Sequence, residues 1–384
     1  MIARSNASQP KTPILPFPIL MLLLALLVGG LAGKAPSVLL DTFNHGFGRA
    51  LGEFALLLFP AFTLAHALAK RQLRSSNTLA TWLAPLAGAG MVCPDTAYAT
   101  LSSLAGGRRL SLAFGAYAGF KLLFPAGALI VMTGLGVTDS GALWRCAMLF
   151  PAVWLVGVLW ARRFEPDGVT EGESGGAAAW EALLKPFLAL VILVVLGALT
   201  AASQWPGIGL LFSPKGGLFA AATIALWRLP AEQRAACMDS GLRRTANLLF
   251  MIGAASALGT MLAAALPLDT SVFSRATQWQ LLLLLFMLAA LFKSVKGSSM
   301  ATFAALTAVV APQLPTLPIE PTNAVVAICL GSLVAILPND SFYWLVREDA
   351  LAGFGEARAI RILAGGSVLQ ALTGLLGLLF LTGF

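Results

Sequence analysis

Long apolar runs separated by short polar segments dominate the hydrophobic pattern of the 384-residue chain. The apolar residues do not alternate with polar ones as in a membrane β-strand, so each run of roughly 20 residues predicts a membrane-spanning helix. The chain is therefore predicted to be an all-α polytopic membrane protein. The predicted spanning helices lie near residues 13–33, 46–69, 111–135, 142–161, 181–202, 208–228, 245–266, 322–346 and 360–382.

Two further apolar stretches, near residues 76–105 and 277–313, are longer than one crossing requires and are interrupted in the middle. The first is interrupted around Pro94 and the second around Gly297. A broken helix leaves backbone N–H and C=O groups that lipid cannot satisfy, so it must line a cavity or pack inside protein. We expect both stretches to be re-entrant hairpins, and the helices at 111–135 and 322–346 to be interrupted as well.

Composition and charge support a membrane location. Hydrophobic residues make up 58% of the chain and charged residues 11%, whereas a soluble domain has about 25% charged residues. The net charge of +8 comes from basic clusters between the apolar runs, which is typical of cytoplasmic loops and not of a nucleic-acid-binding surface. If both hairpins are re-entrant, every strongly basic loop is cytoplasmic. This predicts a bacterial inner-membrane protein with a cytoplasmic N-terminus and a periplasmic C-terminus.

The predicted elements repeat along the chain. Residues 41–163 and 241–384 each contain a spanning helix, a hairpin, an interrupted helix and a final helix. The two units enter the membrane from opposite sides, and such inverted repeats are typical of secondary transporters. Residues 1–40 add an N-terminal spanning helix, and residues 164–240 contain an acidic, Gly-rich linker and connecting helices.

Polar and charged side chains are concentrated at the breaks. Serine hydroxyls and the N-terminal ends of half-helices suit a carboxylate, because their donors and local dipole favour negative charge. Lysine would supply the countercharge, although a lysine that extends toward the membrane surface is the alternative. The candidate substrate-binding residues are Gly297, Ser298, Ser299, Thr302, Asn339, Asp340, Lys293, Lys296, Thr96 and Lys121.

Two acids within the broken segments are candidates for proton coupling. A carboxyl group inside a membrane protein is a functional candidate by default, and burial favours its neutral form. Asp95 and Asp340 meet this description. The alternative for Asp95 is a helix-capping role, and the alternative for Asp340 is a structural role that satisfies unwound backbone.

These motifs resemble those of the gluconate permease family, which are proton symporters of sugar acids within the ion transporter superfamily. The segment 297–302 (GSSMAT) is similar to the family's Gly-Ser hairpin motif, and the segment 339–344 (NDSFYW) is similar to its Asn-Asp-aromatic-Trp motif. The resemblance covers most of residues 40–384. Lys121 and Lys293 stand where the family has a His and an Arg, so the chain resembles a short, divergent member.

The resemblance implies an elevator-like motion, a homodimer and a small organic anion as substrate, such as gluconate or a related hydroxycarboxylate. The coupling ion would be a proton, with sodium as the alternative. The residues also leave open an ion-coupled carrier or exporter of an amino-acid-like or phosphonate anion. A membrane enzyme is disfavoured because the sequence lacks a His/Cys/Asp metal cluster and a Ser-His-acid set. A channel is disfavoured because nothing repeats as a pore ring. No cofactor and no metal are expected.

We predict that Lys70 and Arg108 both face the cytoplasm, because the stretch between them is re-entrant. Single-cysteine variants at these positions should therefore resist a membrane-impermeant maleimide in intact cells and react after permeabilisation. Labelling of one position but not the other in intact cells would contradict the first hairpin and, with it, the inverted repeat.

Overall fold

In the computed structural model, every regular element of the described residues is a helix. The described residues are 17–33, 35–70, 77–102, 105–166, 207–227, 229–265 and 276–383, with scattered positions between 185 and 205. The α-helices are α1 (Phe17–Leu31), α2 (Pro36–Ala69), α3 (Asn77–Gly90), α4 (Pro94–Leu101), α5 (Arg109–Leu122), α6 (Gly127–Leu135), α7 (Gly141–Arg162), α8 (Pro214–Trp227), α9 (Ala231–Ala265), α10 (Gln278–Lys296), α11 (Ser299–Val310), α12 (Pro321–Gly331), α13 (Ser341–Asp349) and α14 (Glu356–Leu381).

The predicted helix breaks are confirmed. Residues 91–93 separate α3 from α4, and residues 297–298 separate α10 from α11. Each pair of helices is in contact, so each forms a hairpin. The interrupted helices are also present, with breaks at residues 123–126 between α5 and α6 and at residues 332–340 between α12 and α13.

Two predicted spanning helices begin earlier in the structure than in the sequence-based assignment. α2 begins at Pro36 instead of residue 46, and α9 begins at Ala231 instead of residue 245. In both cases a polar helical segment precedes the apolar run, and hydropathy alone does not detect it. Most of the predicted helix at 181–202 and of the acidic linker lies outside the described residues.

Helix length and composition agree with a multi-pass membrane protein. Short apolar helices such as α11 and α12 cannot cross a bilayer alone, and they are almost entirely buried within the protein. In the part of the chain that the structure describes, five helical segments are long and apolar enough to cross, counting α5 and α6 through their break: Gly106–Leu135, Gly141–Arg162, Ala231–Leu262, Gln278–Lys296 and Glu356–Leu381.

The two longest described helices, α2 and α9, pack antiparallel against each other through small residues. Gly46 of α2 lies against Ala257 and Thr260 of α9, and Gly241 of α9 lies against Thr63 of α2. A Cβ atom at Gly241 would come within 2.6 Å of the Thr63 hydroxyl oxygen. Because α9 also contacts α1 and α11, the α2–α9 pair forms a wall beside the second hairpin.

Gly297 determines the shape of the second hairpin tip. Its φ of +70° lies in the left-handed region, which glycine adopts at little cost. A Cβ atom at this position would overlap the carbonyl oxygen of Asn339. Ser298 then caps α11, because its hydroxyl accepts a hydrogen bond from the Ala301 N–H at 3.3 Å. The Gly-Ser sequence therefore lets the tip lie directly against the break between α12 and α13.

An ion pair joins the two halves of the chain near the first turns of α7 and α12. Arg145 donates from its two terminal nitrogens to the two carboxylate oxygens of Glu320, each at 2.7 Å. This hydrogen bonding lowers the pKa of Glu320 below its usual value. The contact fixes the N-terminal end of α12. The C-terminal end of α12 leads to the break at residues 332–340.

Candidate functional site

A cavity of about 270 Å³ lies where the two hairpin tips meet the break between α12 and α13. Three helices begin at its wall, because Pro94, Ser299 and Ser341 are the first residues of α4, α11 and α13 and all three line the cavity. The N-terminal end of a helix presents unpaired N–H groups and a partial positive charge. Three such ends around one cavity favour a bound anion.

Two basic side chains add to this positive field. Arg244 of α9 and Lys296 at the end of α10 both line the cavity. The Arg244 guanidinium donates to the Cys93 sulfur at 3.0 Å and to the Thr96 hydroxyl at 3.4 Å, and it lies 4.7 Å from the centroid of the Phe62 ring. These contacts hold the guanidinium beside the beginning of α4.

Arg244 and Ser341 are site residues that the sequence analysis did not select. In the sequence, Arg244 ends the basic segment 228–244 between two apolar runs, which predicts a cytoplasmic loop. In the structure it lies inside α9. Residues 231–244 contain no proline, so the sequence is compatible with a helix that starts near residue 231 and includes Arg244. Ser341 follows directly after a predicted pair, and its hydroxyl donates to the Asp95 carboxylate at 2.5 Å.

The two acids proposed for proton coupling both line the cavity, but their surroundings differ. Asp340 caps α13, since one carboxylate oxygen accepts from the Phe342 N–H at 3.1 Å. Its other oxygen forms a buried ion pair with Lys293. Asp95 lies in the first turn of α4 and accepts from the neutral hydroxyl of Ser341. Asp340 is therefore committed to a helix cap and an ion pair, whereas Asp95 is bonded to a neutral group.

The three candidate lysines occupy different positions. Lys296 lines the cavity, whereas Lys121 and Lys293 are fully buried behind its wall. Lys121 donates to the Ser299 hydroxyl and, at 2.9 Å, to the Ser332 carbonyl oxygen. Among the lysines, Lys296 is thus the one whose position allows direct contact with a molecule in the cavity.

Three further candidate residues lie at the tip of the second hairpin or at the break before α13. Asn339 and Ser298 line the cavity. The Asn339 amide donates to the carbonyl oxygens of Ser294 and Val295, at 2.7 and 3.1 Å, which fastens the break to the last turn of α10. Thr302 is fully buried, and its hydroxyl donates to the Ser298 carbonyl oxygen at 2.9 Å. Thr302 therefore supports the tip from behind.

A second cavity, of about 410 Å³, lies between α2, α6, α9 and α11. Its polar lining consists mainly of hydroxyl groups, including those of Thr133, Ser256 and Thr307. The Thr307 hydroxyl donates to a carbonyl oxygen within its own helix, at 2.7 Å. Among the described residues that line this cavity, His45 is the one with an ionisable side chain. The smaller cavity, with its charges and helix ends, therefore fits an anion better.

Comparison with known proteins shows the family of the chain. The family model described as GntP family permease matches residues 183–382, which is more than half of the chain. The chain belongs to the GntP permease family. The match includes the second hairpin and the break before α13, so the part of the site formed by Arg244, Ser298 and Asn339 lies within the family's own region.

The fold of this permease is also similar to a solved transporter structure. That structure is the crystal structure of the Alcanivorax borkumensis YdaH transporter, described as having an unusual topology. The TM-score is 0.65 at 19% identity, and the similarity covers 96% of this chain and 98% of that chain. No curated protein matches the chain significantly. Family and fold together make the protein a secondary transporter, which points away from an enzyme.

We predict that Cys93 reacts with a small thiol reagent and that Cys146 reacts much more slowly. Cys93 lines the cavity beside Arg244, whereas Cys146 is fully buried in α7. The rates should be measured by mass spectrometry on the purified protein, with gluconate as the trial protecting anion and Cys93→Ser as the control. Equal rates at the two thiols would contradict the position of the site.

Proposed function

We propose that this permease carries a small organic anion, a sugar acid such as gluconate or a related hydroxycarboxylate, by proton symport. The convergence of three helix N-termini on a cavity that Arg244 also lines is the observation that supports an anionic substrate. The Ser298 hydroxyl can donate a hydrogen bond to a sugar acid. The Asn339 side-chain oxygen can accept one from a sugar hydroxyl, while its N–H groups remain bonded to the Ser294 and Val295 carbonyl oxygens.

In this proposal the substrate carboxylate binds between Arg244 and the beginning of α11. A guanidinium has five N–H donors in a planar arrangement, so Arg244 can keep its contacts with Cys93 and Thr96 and still bind a carboxylate. Ser299 also lines the cavity. The remainder of the anion then extends toward Asn339.

The position of Asp95 in the cavity supports proton coupling. A bound carboxylate and an ionised Asp95 would repel each other, because both are negative and both would lie in the same cavity. Binding of the anion and binding of a proton to Asp95 therefore favour each other, which is the requirement for symport. Asp340 is less suited to this role, because Lys293 already balances its charge.

We further propose that the cavity faces the cytoplasm of a bacterial inner membrane. It lies toward the end of the α2–α9 pair at which α2 finishes and α9 begins, since Arg244 contacts Phe62. The positive-inside pattern of the basic clusters supports a cytoplasmic location for this end. Access from the periplasm would then require the two hairpins to move relative to the α2–α9 pair. An elevator mechanism would provide this movement, and we propose that it operates in a homodimer whose subunits contain the inverted repeat.

We predict that Arg244→Gln lowers uptake of labelled gluconate into proteoliposomes by roughly tenfold or more, the usual effect of losing a hydrogen bond to a charged group. The matched control is Arg243→Gln. Arg243 is highly exposed and pairs with Asp239 at 2.8 Å on the surface of α9, so its replacement should leave uptake unchanged.

The same assay tests the function itself. Wild-type liposomes with an alkaline interior should accumulate gluconate, and competition with other sugar acids, amino acids and phosphonates would rank the substrates. Transport of none of these anions by the wild-type protein, or wild-type uptake by Arg244→Gln, would contradict the proposal.

We predict that Asp95→Asn abolishes accumulation driven by a pH gradient but retains gluconate binding and exchange, because asparagine keeps the hydrogen bond and cannot carry the proton. Asp340→Asn should instead lower the melting temperature, since loss of one partner from a buried ion pair costs about 3–5 kcal/mol. Calorimetry and exchange assays separate the two effects. Accumulation by Asp95→Asn at the wild-type level would exclude Asp95 as the coupling group.

A further inference from the structure

Lys121 is a buried ammonium group that the proposed transport cycle does not use. Its side chain is fully buried, and Phe120, the preceding residue, lines the cavity in its place. None of the ion pairs among the described residues includes Lys121. A buried charge without a carboxylate partner is expensive, so its presence inside a membrane protein calls for a functional role.

Oxygen acceptors and aromatic rings surround the Lys121 ammonium. The ammonium donates to the Ser299 hydroxyl and the Ser332 carbonyl oxygen. The centroids of the Tyr117, Phe120 and Phe303 rings lie 4.9, 5.4 and 5.2 Å from the nitrogen. Neutral oxygens and aromatic faces of this kind stabilise a monovalent cation without providing a formal negative charge.

The site also joins three separate helix ends. Lys121 lies in the last turn of α5, Ser299 is the first residue of α11, and Ser332 follows the last residue of α12. One positive charge thereby holds the second hairpin tip against the interrupted helices of both halves. Ser299 also lines the cavity, so the hydroxyl that accepts from Lys121 belongs to a residue that an anion in the cavity can reach.

We propose that this is a monovalent-cation site that the protein fills with the ammonium group of Lys121. The built-in cation closes the hairpin tip and orients Ser299 toward the anion, as a bound alkali-metal ion would do. Anion binding therefore requires no sodium. This inference rests on the proposed function as far as the anion is concerned, whereas the cation site itself can be tested without any substrate.

The substrate-free test uses the melting temperature of the purified protein in choline chloride, sodium chloride and propylammonium chloride at equal ionic strength. Lys121→Ala removes the chain beyond Cβ and leaves the oxygens and rings, so propylammonium or sodium should raise its melting temperature relative to choline, as expected for a ligand that binds the folded state. The wild type and Lys121→Met, whose side chain fills the same space, should show no such difference. A response of Lys121→Ala equal to that of Lys121→Met would overturn the cation site.

The second test measures gluconate binding by calorimetry in the same salts. The wild type should bind equally well in sodium and choline. Lys121→Ala should bind roughly tenfold more weakly or worse in choline, and propylammonium should restore part of the loss. A requirement of the wild type for sodium, or full binding by Lys121→Ala in choline, would overturn the proposal. If the wild type binds no anion in any salt, the proposed substrate is wrong, and the melting experiment still decides the cation site.

Discussion

The buried ion pair between Lys293 and Asp340 connects the tip of the second hairpin to the break before α13. The Lys293 ammonium contacts both the Asp340 carboxylate and the Gly297 carbonyl oxygen, so it links the end of α10, the hairpin tip and the start of α13. Asp340 in turn caps α13 through the Phe342 N–H. Removing either charge would leave the other buried and unpaired, at a cost of several kcal/mol.

This connection accounts for the persistence of broken helices inside a membrane protein. Lipid cannot satisfy the free backbone groups at a break, so side chains and neighbouring backbone must do so. The Asn339 amide takes up carbonyl groups at the end of α10, the Ser298 hydroxyl caps α11, and Lys121 takes up the Ser332 carbonyl. The first residues of α4, α11 and α13 all line one cavity. Stability of the breaks and affinity for an anion thus depend on the same arrangement.

The sequence predicts the helix breaks well, because glycine, proline and serine grouped inside a long apolar run disfavour an uninterrupted helix. It predicts the participation of Asn339 and Ser298 for the same reason. The sequence does not predict which lysine side chain reaches the cavity. Lys293, Lys296 and Lys121 have similar local patterns, yet only packing between distant segments determines that Lys296 reaches the cavity while the other two lie behind it.

Arg244 shows a second limit of sequence reasoning. A basic residue next to an apolar run indicates a membrane boundary, and this interpretation takes no account of a helix that continues through the boundary. The contact of Gly241 with Thr63 allows α9 to approach α2 closely, and that approach brings Arg244 to the first hairpin. Neither fact can be derived from hydropathy, because both depend on how two remote helices pair.

The most direct measurement of the central claim is a cryo-electron-microscopy structure of the protein with the sugar acid that stabilises it most strongly against heat. We expect density for the anion between Arg244 and the beginning of α11, with a carboxylate oxygen within hydrogen-bonding distance of the guanidinium. Density for the anion in the larger cavity between α2, α6, α9 and α11, with none beside Arg244, would contradict this location of the site.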